Sequence, residues 1–306
     1  MKRQGLSRRE FMASALVATG SVALSRTPLN AAGASAQTGH TIGPFMKIGC
    51  CAYSYRKYLT KGQMRLQDFL DEAARMNLDG VQLTTYYYES TEPSYLRELK
   101  FRAYKLGLDI PSIATRTNFC QKDPDKRVEQ ASELRRWIDA AVELGANAIR
   151  VFGGKIPKGA TKEQAVEWTV DGLKRALEYA EKRGVILALE NHWGVTETAD
   201  LVLQIRSKID SPNFGLLLDT ANFRTNPYGQ IRQLAPYAVT THVKTEMFTP
   251  DGGKVPADVE KIVKALAEAN YRGYLHVEYE GKEEPREAIP KFVDTLRSTV
   301  ARVVGS

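Results

Sequence analysis

With 306 residues, 43% of them hydrophobic and 26% charged, the chain carries enough apolar material for one sizeable core and too little bias for a disordered or fibrous protein. Its formal net charge of +7 overstates its basicity, because residues 1–36 hold five of the 43 basic residues (Lys2, Arg3, Arg8, Arg9, Arg26) and one of the 36 acids (Glu10). The remaining 270 residues set 38 basic groups against 35 acidic ones with no basic block, which leaves no footprint for nucleic acid or an anionic membrane surface.

At the N-terminus, Ser7-Arg8-Arg9-Glu10-Phe11-Met12 precedes a weakly apolar run to Leu24 and then the small residues Ala34-Ser35-Ala36. This is the pattern of a twin-arginine export signal with an A-x-A cleavage site. Residues 1–36 are therefore expected to be a signal peptide, 37–45 a leader segment, and the mature protein periplasmic or otherwise extracytoplasmic. The run is rich in Ala, Ser, Thr and Gly and falls short of the about 20 apolar residues a bilayer span needs, so no stable membrane insertion is expected after cleavage. Three cysteines, Cys50, Cys51 and Cys120, are an odd count and read as small buried hydrophobes. A bridge from Cys50 or Cys51 to Cys120 stays open in an oxidising compartment.

From Met46 onward, short β-rich runs alternate with longer amphipathic stretches. The strand candidates are MKIGCCA from Met46, GVQLTT from Gly80, IPSIAT from Ile110, NAIRVFG from Asn147, VILALEN from Val185, FGLLLD from Phe214, AVTTHVK from Ala238 and YLHVEYE from Tyr274. Helix candidates include Leu66–Asn77, Arg127–Gly145, Thr161–Gly184 and Asp258–Gly273, several ending in Gly as helix C-termini do. Strand starts recur every 24 to 38 residues, the length of a βα unit. Eight such units predict an α/β chain whose residues 46–306 form one (β/α)8 barrel domain. A doubly wound sheet would need a Gly-rich phosphate turn after its first strand, and none is present.

In such a barrel the chemistry belongs where strands end. The last four candidate strands close on Glu190 and His192, on Asp219, on His242 and Lys244, and on Glu278 and Glu280. A carboxylate at the end of Leu216-Leu217-Leu218-Asp219 has no packing reason to be there, and four adjacent strand ends converge across a barrel mouth. Glu190, Asp219, His242 and Glu278 make a mainly oxygen-donor set. It suits one divalent ion, Mn²⁺ foremost, with Mg²⁺, Co²⁺ or Zn²⁺ compatible. A cation also explains how three carboxylates coexist there. His276, two residues deeper than Glu278, reads as a hydrogen-bonded core histidine.

The segments ALEN, LLDTAN, HVK and HVEYE, with IRVFGG (Ile149 to Gly154), resemble the xylose-isomerase-like TIM barrel superfamily, the sugar phosphate isomerase/epimerase group. That group includes D-tagatose 3-epimerase, 2-keto-myo-inositol dehydratase and endonuclease IV. The resemblance implies that the metal ligands fall on the same four residues and that Glu190 and Glu278 are the catalytic acid and base. His192 resembles the family's substrate-contacting histidine. Asn222 stands where several relatives carry a second histidine, and is taken as a substrate contact. Lys244 shares the face of His242 and could stabilise an oxyanion. Arg150 could orient a substrate hydroxyl or carboxylate, or serve as a rim ion pair. Trp193, with Tyr53, Tyr55, Tyr86, Tyr87 and Tyr88, stands near strand ends as sugar-stacking or packing aromatics.

The expected function is an exported, metal-dependent isomerase or epimerase of a sugar or keto-sugar, with a homo-oligomer left open. The alternatives are a lyase or dehydratase acting on a 3-keto-glycoside or keto-inositol, and a non-catalytic sugar-binding barrel. The endonuclease reading is weak, given the scarcity of histidines (His192, His242 and His276 beyond His40) and the missing basic face.

Overall fold

The computed structural model describes residues 43–305, so the expected signal peptide and residues 37–42 of the leader lie outside the described residues. Eight strands form a closed, all-parallel barrel: β1 (Phe45–Cys51), β2 (Gly80–Thr84), β3 (Asp109–Ala114), β4 (Ala148–Phe152), β5 (Ile186–Glu190), β6 (Phe214–Asp219), β7 (Ala238–Val243) and β8 (Arg272–Val277). Strand neighbours follow chain order, and β8 closes onto β1 with Phe45 opposite Arg272 and Cys50 opposite Val277. Each strand is followed by a long helix: α1 (Leu66–Arg75), α2 (Pro93–Lys105), α3 (Pro124–Leu144), α4 (Lys162–Arg183), α5 (Ala199–Ser207), α6 (Pro227–Leu234), α7 (Val259–Glu268) and α8 (Pro285–Val304). The (β/α)8 expectation holds. Strands β2, β4 and β6 are buried along their whole length, as a parallel sheet walled by helices requires.

Helix α1 shows why the outer ring adheres. Leu66, Phe69, Leu70 and Ala73 recur at helical spacing and are all buried, and each large side chain contributes about 1.5–3 kcal/mol by leaving water. Helix α4 starts on a capping box, in which the Thr161 hydroxyl accepts from Gln164 N while the Gln164 side chain accepts from Thr161 N, and it stops at Gly184 in the left-handed region. Helix α3 starts three residues earlier than its periodicity predicts, because Asp123 caps it and Pro124 occupies its first position. Helix α7 stops earlier than predicted, at Glu268, because Asn270 takes the left-handed turn expected of Gly273. Among the described residues no helix is long and apolar enough to cross a membrane. A hairpin pairing Glu246–Phe248 with Lys254–Pro256 decorates the loop after β7.

All three cysteines are free and buried, so the open question of a bridge to Cys120 is answered by packing. His276 is a core histidine, as expected. Its Nδ1 pairs with Thr240 Oγ1 at 3.2 Å, its ring stacks on Tyr274 at 5.3 Å, and burial lowers its pKa to about 3. That imidazole fills the space over Gly49, where an added Cβ would stand 2.7 Å from Cδ2. Gly49→Ala should therefore destabilise the barrel by about 1–3 kcal/mol. Thermal denaturation reads this directly, and an unchanged midpoint would show that the ring relocates without cost.

Candidate functional site

Glu190 and Asp219 are the last residues of β5 and β6, His242 is the last but one of β7, and Glu278 immediately follows β8. These four strands are neighbours, and the register sets Asp219 opposite His242. The strand carrying HVEYE stops at Val277, shorter than predicted. Glu278 N still donates to Val243 O at 3.1 Å, which keeps its side chain on the inward face. His242 Nδ1 lies 3.4 Å from Glu278 Oε2, 3.8 Å from Asp219 Oδ2 and 4.0 Å from Glu190 Oε2. One ligand atom each from Glu190, Asp219 and His242 falls within 4.8 Å of the others, and the same holds for Cys51, His242 and Glu278.

The chain aims these groups with neutral partners. Asp219 Oδ1 accepts from the turn amides Ala221 N (2.8 Å) and Asn222 N (3.1 Å), which leaves Oδ2 for the centre. Asn191 clamps the backbone of Asp219, its side chain accepting from Asp219 N and donating to Asp219 O, both at 2.8 Å. Gln82 Nε2 donates to Ser112 Oγ, so its Oε1 faces His242 and accepts from Nε2 at 2.6 Å. His242 Nδ1 is thereby left without a hydrogen bond among the carboxylates, while Asp219 Oδ2 has the Lys244 ammonium as its ion partner, and both residues are wholly buried. One imidazole nitrogen left open among carboxylates, its ring held by the other nitrogen, and a mainly oxygen-donor set fit a divalent ion.

Charge in the centre is balanced by two cations of the chain itself. Lys244, 7% exposed, sets Nζ 3.1 Å from Asp219 Oδ2, 3.2 Å from Glu278 Oε2 and 2.9 Å from Glu280 Oε2. Arg150 Nη1 donates to Glu190 Oε2 at 3.0 Å. Burial opposes the charge on Glu278, but His242 and Lys244 outweigh it and hold the carboxyl well below its usual range. Glu190 goes the other way, pushed up to about 7 by burial against the Arg150 and His242 charges, with Glu278 and Asp219 adding to the rise. His242 is raised although burial opposes it, because Glu278 and Asp219 face it.

A cavity of about 710 Å³ opens on this centre, reaching Glu190, Glu278, Arg150 and His192. His192 Nδ1 accepts from Trp193 N at 2.9 Å, and burial lowers its pKa to about 4, so the neutral ring presents Nε2–H, 3.9 Å from Glu190 Oε1. Trp193, Tyr53 and Tyr86 line the cavity, whereas Tyr55 and Tyr88 pack against Phe69 and against Tyr95 and Trp137. Asn222 and Lys244 are not among the lining residues. The Asn222 amide is spent inside the protein, donating to Glu190 Oε1 and Asn191 O and accepting from Lys244 Nζ.

Gln82, Asn191, Cys51 and Arg116 are site neighbours that the strand-end reading passes over. For Gln82 the signal was present, since GVQLTT carries Gln82 and Thr84 on one face of an otherwise apolar strand. Replacing Lys244 by Met leaves Asp219 and Glu278 buried without their shared ammonium and should cost about 3 kcal/mol when chelator is present. Calorimetry in EDTA tests this, and an unshifted melting temperature would assign the balance to Arg150 and His242 alone.

Residues 70–299 match the family model described as xylose isomerase-like TIM barrel. No curated protein sequence matches the chain. Among similar solved structures, D-psicose 3-epimerase from Clostridium cellulolyticum H10, crystallised with D-tagatose, superposes with a TM-score of 0.67 at 18% identity, over 83% of this chain and 99% of that one. For 3-keto-D-glucoside 4-epimerase from E. coli the values are 0.66, 16%, 83% and 99%. For the probable 3-DHS dehydratase from Bacillus anthracis they are 0.65, 17%, 84% and 99%. At such identities structural likeness speaks for the fold alone, whereas the family match spans most of the chain. The chain therefore belongs to the xylose isomerase-like TIM barrel family.

Proposed function

We propose that the protein is a divalent-metal-dependent isomerase or epimerase of a keto-sugar, working by proton transfer beside a carbonyl. The observation that carries this is the pair Glu190 and Glu278, two buried glutamates that both line the cavity and whose carboxylates lie 4.0 and 3.4 Å from one His242 nitrogen. A divalent ion held by Glu190, Asp219, His242 and Glu278, Mn²⁺ in our reading, would supply Lewis-acid polarisation of the substrate carbonyl and the neighbouring hydroxyl. Glu278, kept ionised by Lys244, removes the proton from the adjacent carbon. Glu190 is the partner acid that delivers one, and Arg150 and Asn222 fix its two oxygens. His192 Nε2–H donates to a substrate oxygen at the cavity wall. Lys244 acts by positioning Glu278 and Glu280, since its ammonium is fully engaged by carboxylates.

The solved relatives named as sugar epimerases support this class. The dehydratase among them favours a second reading, in which the same proton removal is followed by loss of a leaving group. On the twin-arginine stretch alone we place the working protein outside the cytoplasm.

Elemental analysis of protein purified without added metal, beside Glu278→Gln, tests the centre. The wild type should hold close to one equivalent of divalent metal and the variant far less, with turnover lowered by about 10²–10⁴. In deuterated water, solvent deuterium should enter one substrate carbon at unchanged substrate mass otherwise. Full metal in the variant would refute the ligand set, and turnover without deuterium entry would refute proton transfer. Gln82→Leu should weaken metal binding about 10–100-fold by releasing His242, read by competition with a chelating dye. Wild-type affinity would mean that Gln82 plays no part in orienting the ring.

A further inference from the structure

The cavity is larger than one sugar ring fills. A hexose has about a dozen non-hydrogen atoms, and granting each the roughly 30 Å³ that a liquid water occupies, one ring takes at most about 360 Å³. The cavity measures about 710 Å³. Part of its lining lies outside the barrel axis: Gln130 and Glu133 belong to α3, and Arg116 and Asn118 to the loop before that helix.

That outer portion has the chemistry of a neutral, hydroxylated ring. A continuous wall leads to it from the catalytic end. Arg150 reaches Tyr86 Oη at 3.4 Å and lies 4.0 Å above the Phe152 ring, and Phe152 meets Trp193 at 6.2 Å. Trp193 and Tyr86 stay 48% and 38% exposed, unlike the aromatics packed beneath the helices. Flat aromatic faces beside hydrogen-bonding groups suit the C–H faces and hydroxyls of a sugar. A phosphate tail suits the space poorly, because Glu133 and Glu280 line the cavity together with Arg116.

We propose that the substrate is a glycoside or disaccharide, with its keto ring at Glu190 and Glu278 and a second, neutral ring against Tyr86, Phe152 and Trp193, its hydroxyls toward Arg116, Asn118 and Gln130. This deepens the reading of the site as a keto-sugar isomerase and rests on it. The test compares matched pairs on metal-loaded full chain: D-fructose against isomaltulose, and 3-keto-D-glucose against 3-keto-cellobiose, by calorimetric binding and deuterium exchange. In at least one pair the two-ring member should exceed its single-ring partner about tenfold or more, and Trp193→Ala should close that gap while metal content stays intact. Single-ring sugars that match or surpass their partners in both pairs overturn the proposal, as does a gap that survives in Trp193→Ala. If none of the four binds to protein that holds its metal, the keto-sugar reading itself falls, and the second-ring site with it.

Discussion

The structure of the barrel mouth depends on one electrostatic problem, the burial of Glu190, Asp219 and Glu278 around His242. A buried, ionised carboxylate left alone is prohibitively unfavourable, and three in contact are worse, because each raises the cost of ionising the next. The chain meets this with two side chains from its own strands, Arg150 on β4 against Glu190 and Lys244 after β7 against Asp219 and Glu278. Both cations are nearly dry, so their attraction is little screened and the geometry of the acids is fixed by it.

Backbone register turns that balance into positions. Because Asp219 stands opposite His242, and His242 opposite His276, two imidazoles sit side by side in the interior with opposite fates. His276 faces a threonine hydroxyl and an aromatic ring, and burial keeps it neutral. His242 faces carboxylates and is driven toward its protonated form although it is no less buried. The identity of the residue decides nothing here. What each ring faces does: Asp219 and Glu278 for His242, Thr240 and Tyr274 for His276.

This explains which parts were legible in the sequence. Eight strands and four of the helices between them follow from hydrophobic period and from Gly punctuation, and Glu190, Asp219, His242 and Glu278 stood out because an ionisable residue closing an apolar run has no packing role. Asn191 did not stand out, because a neutral amide just past a strand is unremarkable until its partner is known, 28 residues away, and the inward Gln82 gained a role only once its partner His242, 160 residues away, was placed. Asn222 and Lys244 were expected to meet the substrate, yet neither lines the cavity. Facing inward follows from a period of two, whereas reaching the cavity depends on what else competes for the polar tip. Three carboxylates claim the Lys244 ammonium, and Glu190 and Asn191 claim the Asn222 amide.

Counting charge around Lys244 gives a physical reason for a divalent ion under the proposed function. With Glu190 and His242 both protonated, the acids Asp219, Glu278 and Glu280 are matched by Arg150, Lys244 and His242, and the centre is neutral without any metal. Both groups are biased toward that state by their surroundings. Removing the two protons leaves four carboxylates against two cations, a deficit of two charges at the spot where His242 Nδ1 points unpaired. A dication therefore replaces two protons with no change in buried charge, which is the cheapest exchange a low-dielectric site allows. A monovalent ion would leave the centre short by one charge, and a trivalent ion would overshoot. The two protonatable groups thus make the same pocket stable before and after the ion enters, so the barrel can fold first and acquire its chemistry afterwards.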